Sequence, residues 1–418
     1  MAITETLKTL IAFKSVSGNH EEARRQFAWI KQELKGLPLH IREYTSNDFQ
    51  SMVITTQPDT KSPKVWLAAH LDVADGSPDV WEPKQEDGKI KGRGAHDMKF
   101  AAACYIELLK ELGEKARNYD IGVMFTTDEE IGGANGAKIL LEREGYRGGP
   151  VLLPDGGNVW KIENKAKGIW RFDVTGTGTS SHSSRPWESE SALEPLVRFL
   201  AELCAFGDTF KTGDEKHWHL TYSVTMMNGG MFQNLVAASA QAVIDTRFTS
   251  DDELDRFRNG IEALLQKYPS LSVQTISLAG RFAVDAEHPA IQLFRSIAKE
   301  KTGIECGWND NHGGSDARYF MPYNIPVILL WPKAGGYHTE DEWIDIADFH
   351  RFYDVMKAWT LELSESNAPT PLKKHTHAST STDLVPSPFR IVGTVLVETV
   401  KVAVSIPKKA LAYVRILK

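Results

Sequence analysis

Four short apolar runs, each of which delivers the chain into a polar or acidic cluster, constrain this sequence more than any other feature. Residues 65–69 lead to His70, residues 121–125 lead to Thr126-Thr127-Asp128-Glu129-Glu130, residues 151–153 lead to Pro154-Asp155, and residues 325–330 lead to Trp331-Pro332. Apolar runs of this length without alternation suit strands buried on both faces. Helical patterns at 99–112 and 134–144 lie between them. Strands that alternate with helices predict an α/β layer with a mostly parallel, mixed sheet flanked by helices. Ligands of such sheets bind beyond the carboxyl ends of the strands, which is where the polar clusters fall.

A chain of 418 residues predicts two domains plus an appendage. Residues 167–280 have a different texture, with alternating stretches at 170–174 and 241–245 and helical patterns at 190–205 and 252–267. They read as an inserted α+β domain, after which the chain returns to the first sheet. The expected division is a catalytic domain in two parts (1–166 and 281–365), the insert (167–280), a Pro-, Ser- and Thr-rich linker (366–389) and a basic amphipathic tail (390–418).

Charge separates the last two segments from the rest. The whole chain carries −7; eight Lys or Arg against two acids give residues 366–418 a charge of +6, which leaves −13 on the remainder. An acidic body excludes nucleic acid as an expected partner, because phosphate binding relies on clustered cations. In the tail, Glu398, Lys401, Ser405 and Lys408 fall in steps of four and three, the pattern of an amphipathic helix, and the flanking bases suggest peripheral membrane contact. The valines there suit a strand equally, and a tail packed on the body is the competing reading. No run approaches the roughly 18 apolar residues of a spanning helix, and residues 1–15 lack a secretory pattern, so cytoplasmic placement is expected. Cys104, Cys204 and Cys306 are odd in number and form no CxxC pair, which argues against a disulfide framework or a thiolate zinc site.

His70 and Asp72, two residues apart at the end of a strand, project to one side, so the carboxylate is placed to hold the imidazole; a structural histidine would look the same. Asp97, in Gly92-Arg93-Gly94-Ala95-His96-Asp97-Met98-Lys99, opens a helix and reads equally as an N-cap. The acids 128–130 repel one another unless cations neutralise them. One glutamate could ligate a metal while its neighbour stays free to take a proton. Asp155 and His338 complete a set of His and carboxylate without thiolate, the ligand mix of a catalytic zinc site. One shared carboxylate could hold two ions about 3.5–4 Å apart.

Ala-His-Leu-Asp-Val, Gly-Arg-Gly-Ala-His-Asp-Met-Lys, Thr-Asp-Glu-Glu-Ile-Gly-Gly and Gly-Gly-Tyr-His-Thr-Glu-Asp-Glu-Trp, in this order, resemble the metallopeptidase family of carboxypeptidase G, aminoacylase, carnosine dipeptidase, acetylornithine deacetylase and succinyl-diaminopimelate desuccinylase. The likeness spans about residues 5–363. It implies that His70, Asp97 and Asp155 hold one zinc ion and Asp97, Glu130 and His338 a second, with Co2+ or Mn2+ as substitutes. It further implies Glu129 as general base and acid, Asp72 as the residue that orients His70, and a cis Asp97–Met98 peptide. The insert resembles that family's lid and dimerisation domain, which implies a homodimer whose His182 reaches the other subunit's site. Asn234 and Arg247 resemble its substrate-carboxylate clamp, and Gly314 and Ser315 lie in what resembles its Gly-rich cradle. Read without the resemblance, His182 is a loop histidine, Arg247 a surface ion pair and residues 312–318 a turn that caps a helix.

The expected reaction is hydrolysis of an amide bond in small peptides. N-acyl amino acid deacylation of the acetylornithine or succinyl-diaminopimelate type is the alternative, and a metal-binding scaffold without turnover is the third reading. Asp155, where many deacylases of the family carry glutamate, favours the peptidase.

Overall fold

The computed structural model describes residues 2–365, so the linker and tail read at 366–418 lie outside the described residues. The main sheet has six strands in the order His40–Ser46, Phe49–Thr55, Ile121–Thr126, Val65–His70, Val151–Leu152, Val327–Ile328. The last four in that order are parallel, and the first two join antiparallel at one edge, as a mixed α/β sheet requires. The edge hairpin turns through Asn47 and Asp48, both at positive φ (46° and 67°), a two-residue turn whose twist matches that of its strands. Val65–His70 and Ile121–Thr126 are buried along their whole length, which explains their unbroken apolar sequences. Helix Lys99–Leu112 covers the sheet and packs with Ala2–Ile11, Pro289–Thr302 and Ile346–Ser364 into one large core.

The second sheet is antiparallel throughout, in the order Thr221–Gly229, Ser239–Phe248, Gly168–Thr177, Leu271–Ala279. Burial alternates residue by residue along its two central strands, because only one face is covered, by helices Leu193–Gly207 and Asp251–Leu265. Phe172, Val174, Phe199, Ile244 and Phe257 form a separate core there. Each such side chain contributes about 1.5–3 kcal/mol by leaving water. Ser250 caps the second helix by accepting the Glu253 N–H.

Among the described residues no helix is long and apolar enough to cross a membrane. The three cysteines are free, and Cys104 and Cys306 are buried. Two features depart from the sequence expectations. The helix expected at 134–144 covers only Ala137–Glu142, because Asn135 donates its N–H to Asp128 Oδ2 (2.6 Å) and keeps the preceding residues in a turn. Two small sheets of short strands, one of them formed by Lys84–Glu86, Lys89–Lys91, Ala334–Gly335 and Trp343–Asp345, had no counterpart in the expectations.

Candidate active site

The carboxyl ends of three parallel strands place His70, the 128–130 acids and Asp155 at one edge of the main sheet. The loop before helix Lys99–Leu112 brings in Asp97, and the Asp97–Met98 peptide is cis. His338 arrives from a turn in which Gly336 is at φ 68° and a Cβ there would meet the Asp341 carbonyl oxygen at 2.2 Å, so glycine is required.

The Asp97 carboxylate stands between the two histidines. Its Oδ1 is 3.0 Å from His70 Nε2 and its Oδ2 is 3.1 Å from His338 Nε2. Asp155 Oδ1 lies 3.8 Å from the same His70 nitrogen, and Glu130 Oε2 lies 3.1 Å from the same His338 nitrogen. Two triads result, His70–Asp97–Asp155 and Asp97–Glu130–His338, with the ligand atoms of each within 4.8 Å of one another. Ligands about 2 Å from a tetrahedral ion stand ~3.3 Å apart, so each triad fits a zinc-sized cation. Asp155 Oδ2 is buried without a hydrogen-bond partner. Such an orphaned oxygen is costly unless a cation faces it.

Residues 66–362 match the model of peptidase family M20/M25/M40. This chain belongs to that family. It is 26% identical to a succinyl-diaminopimelate desuccinylase of Rickettsia akari over 380 residues, which cover 84% of this chain and 96% of that one. Its fold is shared with a Staphylococcus aureus tripeptidase (TM-score 0.70, 18% identity, 87% and 98% of the two chains). Human carnosine dipeptidase 1 shares it too (TM-score 0.66, 15% identity, 86% and 95%).

This member of the M20/M25/M40 family is therefore a metal-dependent hydrolase, and the charges in its cluster perturb one another strongly. Burial pushes the Glu129 carboxyl well above the usual range, and the neighbouring Asp155 adds to it. Burial likewise lifts Asp155 to about 6, against the pull of His70. Asp97 goes the other way: burial opposes its charge, but His338 and His70 hold it well below the carboxylate range. His338 is pushed up to about 10 by Asp97 and then Glu130. Among the described residues, the Glu129 side chain takes part in no hydrogen bond or ion pair, whereas Glu130 accepts the Ala74 N–H (3.1 Å) and touches His338. The two adjacent glutamates thus differ in their surroundings, Glu130 engaged and the Glu129 side chain without a hydrogen-bond partner among the described residues.

Asp72 is placed somewhat differently from the expectation. His70 Nδ1 is 2.9 Å from the Asp72 backbone oxygen, while the Asp72 carboxylate stands 3.6 Å away, beyond hydrogen-bond length. That carboxylate instead accepts the N–H groups of Glu129 (3.2 Å) and Glu130 (3.1 Å) and the Ser17 hydroxyl (2.6 Å). It fixes the turn that carries both glutamates.

Among the described residues, no hydrogen bond or ion pair joins His182, Asn234 or Arg247 to the cluster. His182 is exposed, its Nδ1 2.8 Å from the Ser184 hydroxyl, and the Asn234 carbonyl accepts the Ser183 N–H (2.8 Å). Arg247 donates to Asp245 (2.7 Å), which Arg171 also holds (2.7 Å). Ser315 accepts the Ala317 N–H and caps a short helical turn, and Gly314 precedes it. That loop is nonetheless drawn to the glutamate turn: Arg318 Nη2 and the Tyr319 hydroxyl both donate to the Gly132 carbonyl (3.0 and 2.5 Å). One residue was given no role by sequence reasoning. Glu342 is buried, accepts the Asp97 N–H and is paired with Arg93. It sits in a run of acids, 340–342, where nothing in the local pattern sets it apart.

Proposed function

We propose that this chain is a dinuclear zinc hydrolase that cleaves an amide bond in a small peptide or N-acyl amino acid. The observation that carries the reading is the Asp97 carboxylate, with one oxygen on each histidine, beside a half-buried glutamate whose side chain has no hydrogen-bond partner among the described residues. His70, Asp97 and Asp155 would hold one ion and Asp97, Glu130 and His338 the other, with Co2+ or Mn2+ as substitutes. When bound there, the ions would supply Lewis-acid chemistry, lowering the pKa of a water molecule and polarising the scissile carbonyl. Glu129 takes the water's proton and returns it to the leaving amine, a transfer its unengaged side chain leaves it free to make. Asp72 keeps Glu129 in place through its N–H.

The remaining roles belong to the second sheet as lid and dimerisation domain. Strand Thr221–Gly229 is an edge with Met226 and Met227 exposed, and Met231 and Phe232 follow at 88% and 62% exposure. An open apolar edge of this kind favours pairing with a second copy. In such a homodimer His182 of one copy serves the other's oxyanion. Arg247 and Asn234 would clamp the substrate carboxylate; Arg171 keeps Asp245 paired when Arg247 turns away. Gly314 and Ser315 would offer backbone N–H groups to the same carboxylate.

His182→Ala should lower kcat by about 10²–10³ with bound zinc unchanged. Subunit exchange between His182→Ala and Glu129→Gln enzymes should then restore up to about a quarter of the activity, because half of the sites in the hybrids carry both intact residues. No recovery on confirmed exchange would rule out the cross-subunit role.

Asp155 favours a peptide substrate, while the likeness to desuccinylases favours an N-acyl amino acid. A panel of dipeptides against N-acetyl and N-succinyl amino acids decides between them by kcat/KM. No hydrolysis across the panel with two zinc ions bound would leave the scaffold reading.

A further inference from the structure

We infer that Glu342, which is no metal ligand, is the positioning residue that sets the bridging Asp97 carboxylate; the inference rests on the metal reading of the two triads. The Glu342 side chain is buried, and its two oxygens have separate partners. Oε1 accepts three backbone N–H groups, those of Gly94 (3.0 Å), His96 (2.9 Å) and Asp97 itself (3.0 Å). Oε2 accepts Arg93 Nη1 (2.7 Å). An oxygen that accepts three backbone N–H groups is a strong anchor for a loop. Because one of the three belongs to Asp97, the anchor determines where that residue's backbone sits, and so where its two carboxylate oxygens point.

The same residue reaches the His338 side of the centre. Glu342 stands four positions after His338, and its backbone oxygen accepts the Gly92 N–H (3.0 Å). The adjoining strand Trp343–Asp345 pairs with Lys89–Lys91, which leads into the Gly92–Asp97 loop. One side chain thus ties the loop of the shared ligand to the segment that supplies a ligand of the second triad. Residues that hold metal ligands in this way commonly change metal affinity by about 10–100-fold when altered.

The separate partners of the two oxygens make the inference testable apart from a plain stabilising ion pair. Glu342→Gln can keep an acceptor oxygen for the three N–H groups while giving up the charge opposite Arg93. Glu342→Asp keeps the charge but withdraws the acceptor by about 1.5 Å. Metal-free protein is titrated with Co2+, following the visible absorption and the cobalt retained per chain, with melting curves in parallel. Wild type should take two Co2+. Glu342→Gln should bind them within about threefold of wild type, and Glu342→Asp should bind at least about tenfold more weakly with an altered spectrum.

An aspartate variant that binds Co2+ as tightly as the glutamine variant, or more tightly, overturns the inference. If the aspartate variant does not fold, Arg93→Gln removes the ion pair and leaves the three N–H bonds. It should bind Co2+ like wild type, and a tenfold loss there overturns the inference equally. Wild type that takes no Co2+ would defeat the metal reading itself, a different failure.

Discussion

Glu129→Gln should cut kcat by about 10²–10⁴ while the zinc content per chain stays at the wild-type value. The substitution removes one ionisable oxygen from a side chain that holds nothing else: among the described residues it has no hydrogen-bond partner, and its backbone is kept in place by Asp72. Gln has the same shape, so the cavity and the triads are left as they were. Glu130→Gln is the necessary contrast. That carboxylate accepts the Ala74 N–H and lies 3.1 Å from His338, so its loss should reduce the metal held in the second triad as well as turnover. Kinetics and elemental analysis on the two variants separate proton transfer from ligation. A Glu129→Gln enzyme that keeps a tenth of wild-type turnover would remove the base from the mechanism, and one that loses zinc would make Glu129 a ligand instead.

Three parts of this site that the sequence disclosed share one property: each lies where a buried strand ends. His70, the 128–130 acids and Asp155 follow runs whose apolarity already specified burial, and the sheet brings their ends together. The second sheet was legible for the complementary reason, since one-sided burial writes a period of two into Gly168–Thr177 and Ser239–Phe248. Strands of two or three residues are too short to carry any period, so the sheet that joins Lys89–Lys91 to Trp343–Asp345 left no signal. Glu342 was hidden with it, because its partners at 93–97 lie some 245 positions earlier in the chain. The ion pair that the residues alone suggested for Arg247 is made with Asp245, because residues two apart on a strand share a face and Arg171 stands directly opposite Asp245.

Chelation should abolish activity and lower Tm, and the gap in Tm between loaded and chelated enzyme should widen as pH rises from 5 to 7. Two effects act in the same direction. The first is ligation: the histidines and carboxylates must be deprotonated to hold a cation, so affinity rises with pH. Ligand present at a thousand times its Kd stabilises the fold by about 4 kcal/mol. The second lies in the metal-free chain, where burial, aided by Asp97 and Glu130 and opposed by His70, raises Asp155 to about 6. An unfolded aspartate titrates near 3.9. A carboxyl whose folded pKa is raised favours the fold while both states are protonated, below about 4; that contribution is lost as pH climbs to about 6. The chelated protein therefore loses the contribution of Asp155 up to about pH 6, in the lower part of the range over which the loaded protein gains affinity. Taking the difference between the two forms cancels groups remote from the site, which titrate alike in both. A gap that stays constant or narrows over pH 5–7 would mean that the five ligands do not meet around cations, and the assignment of His70, Asp97, Glu130, Asp155 and His338 would fall with it.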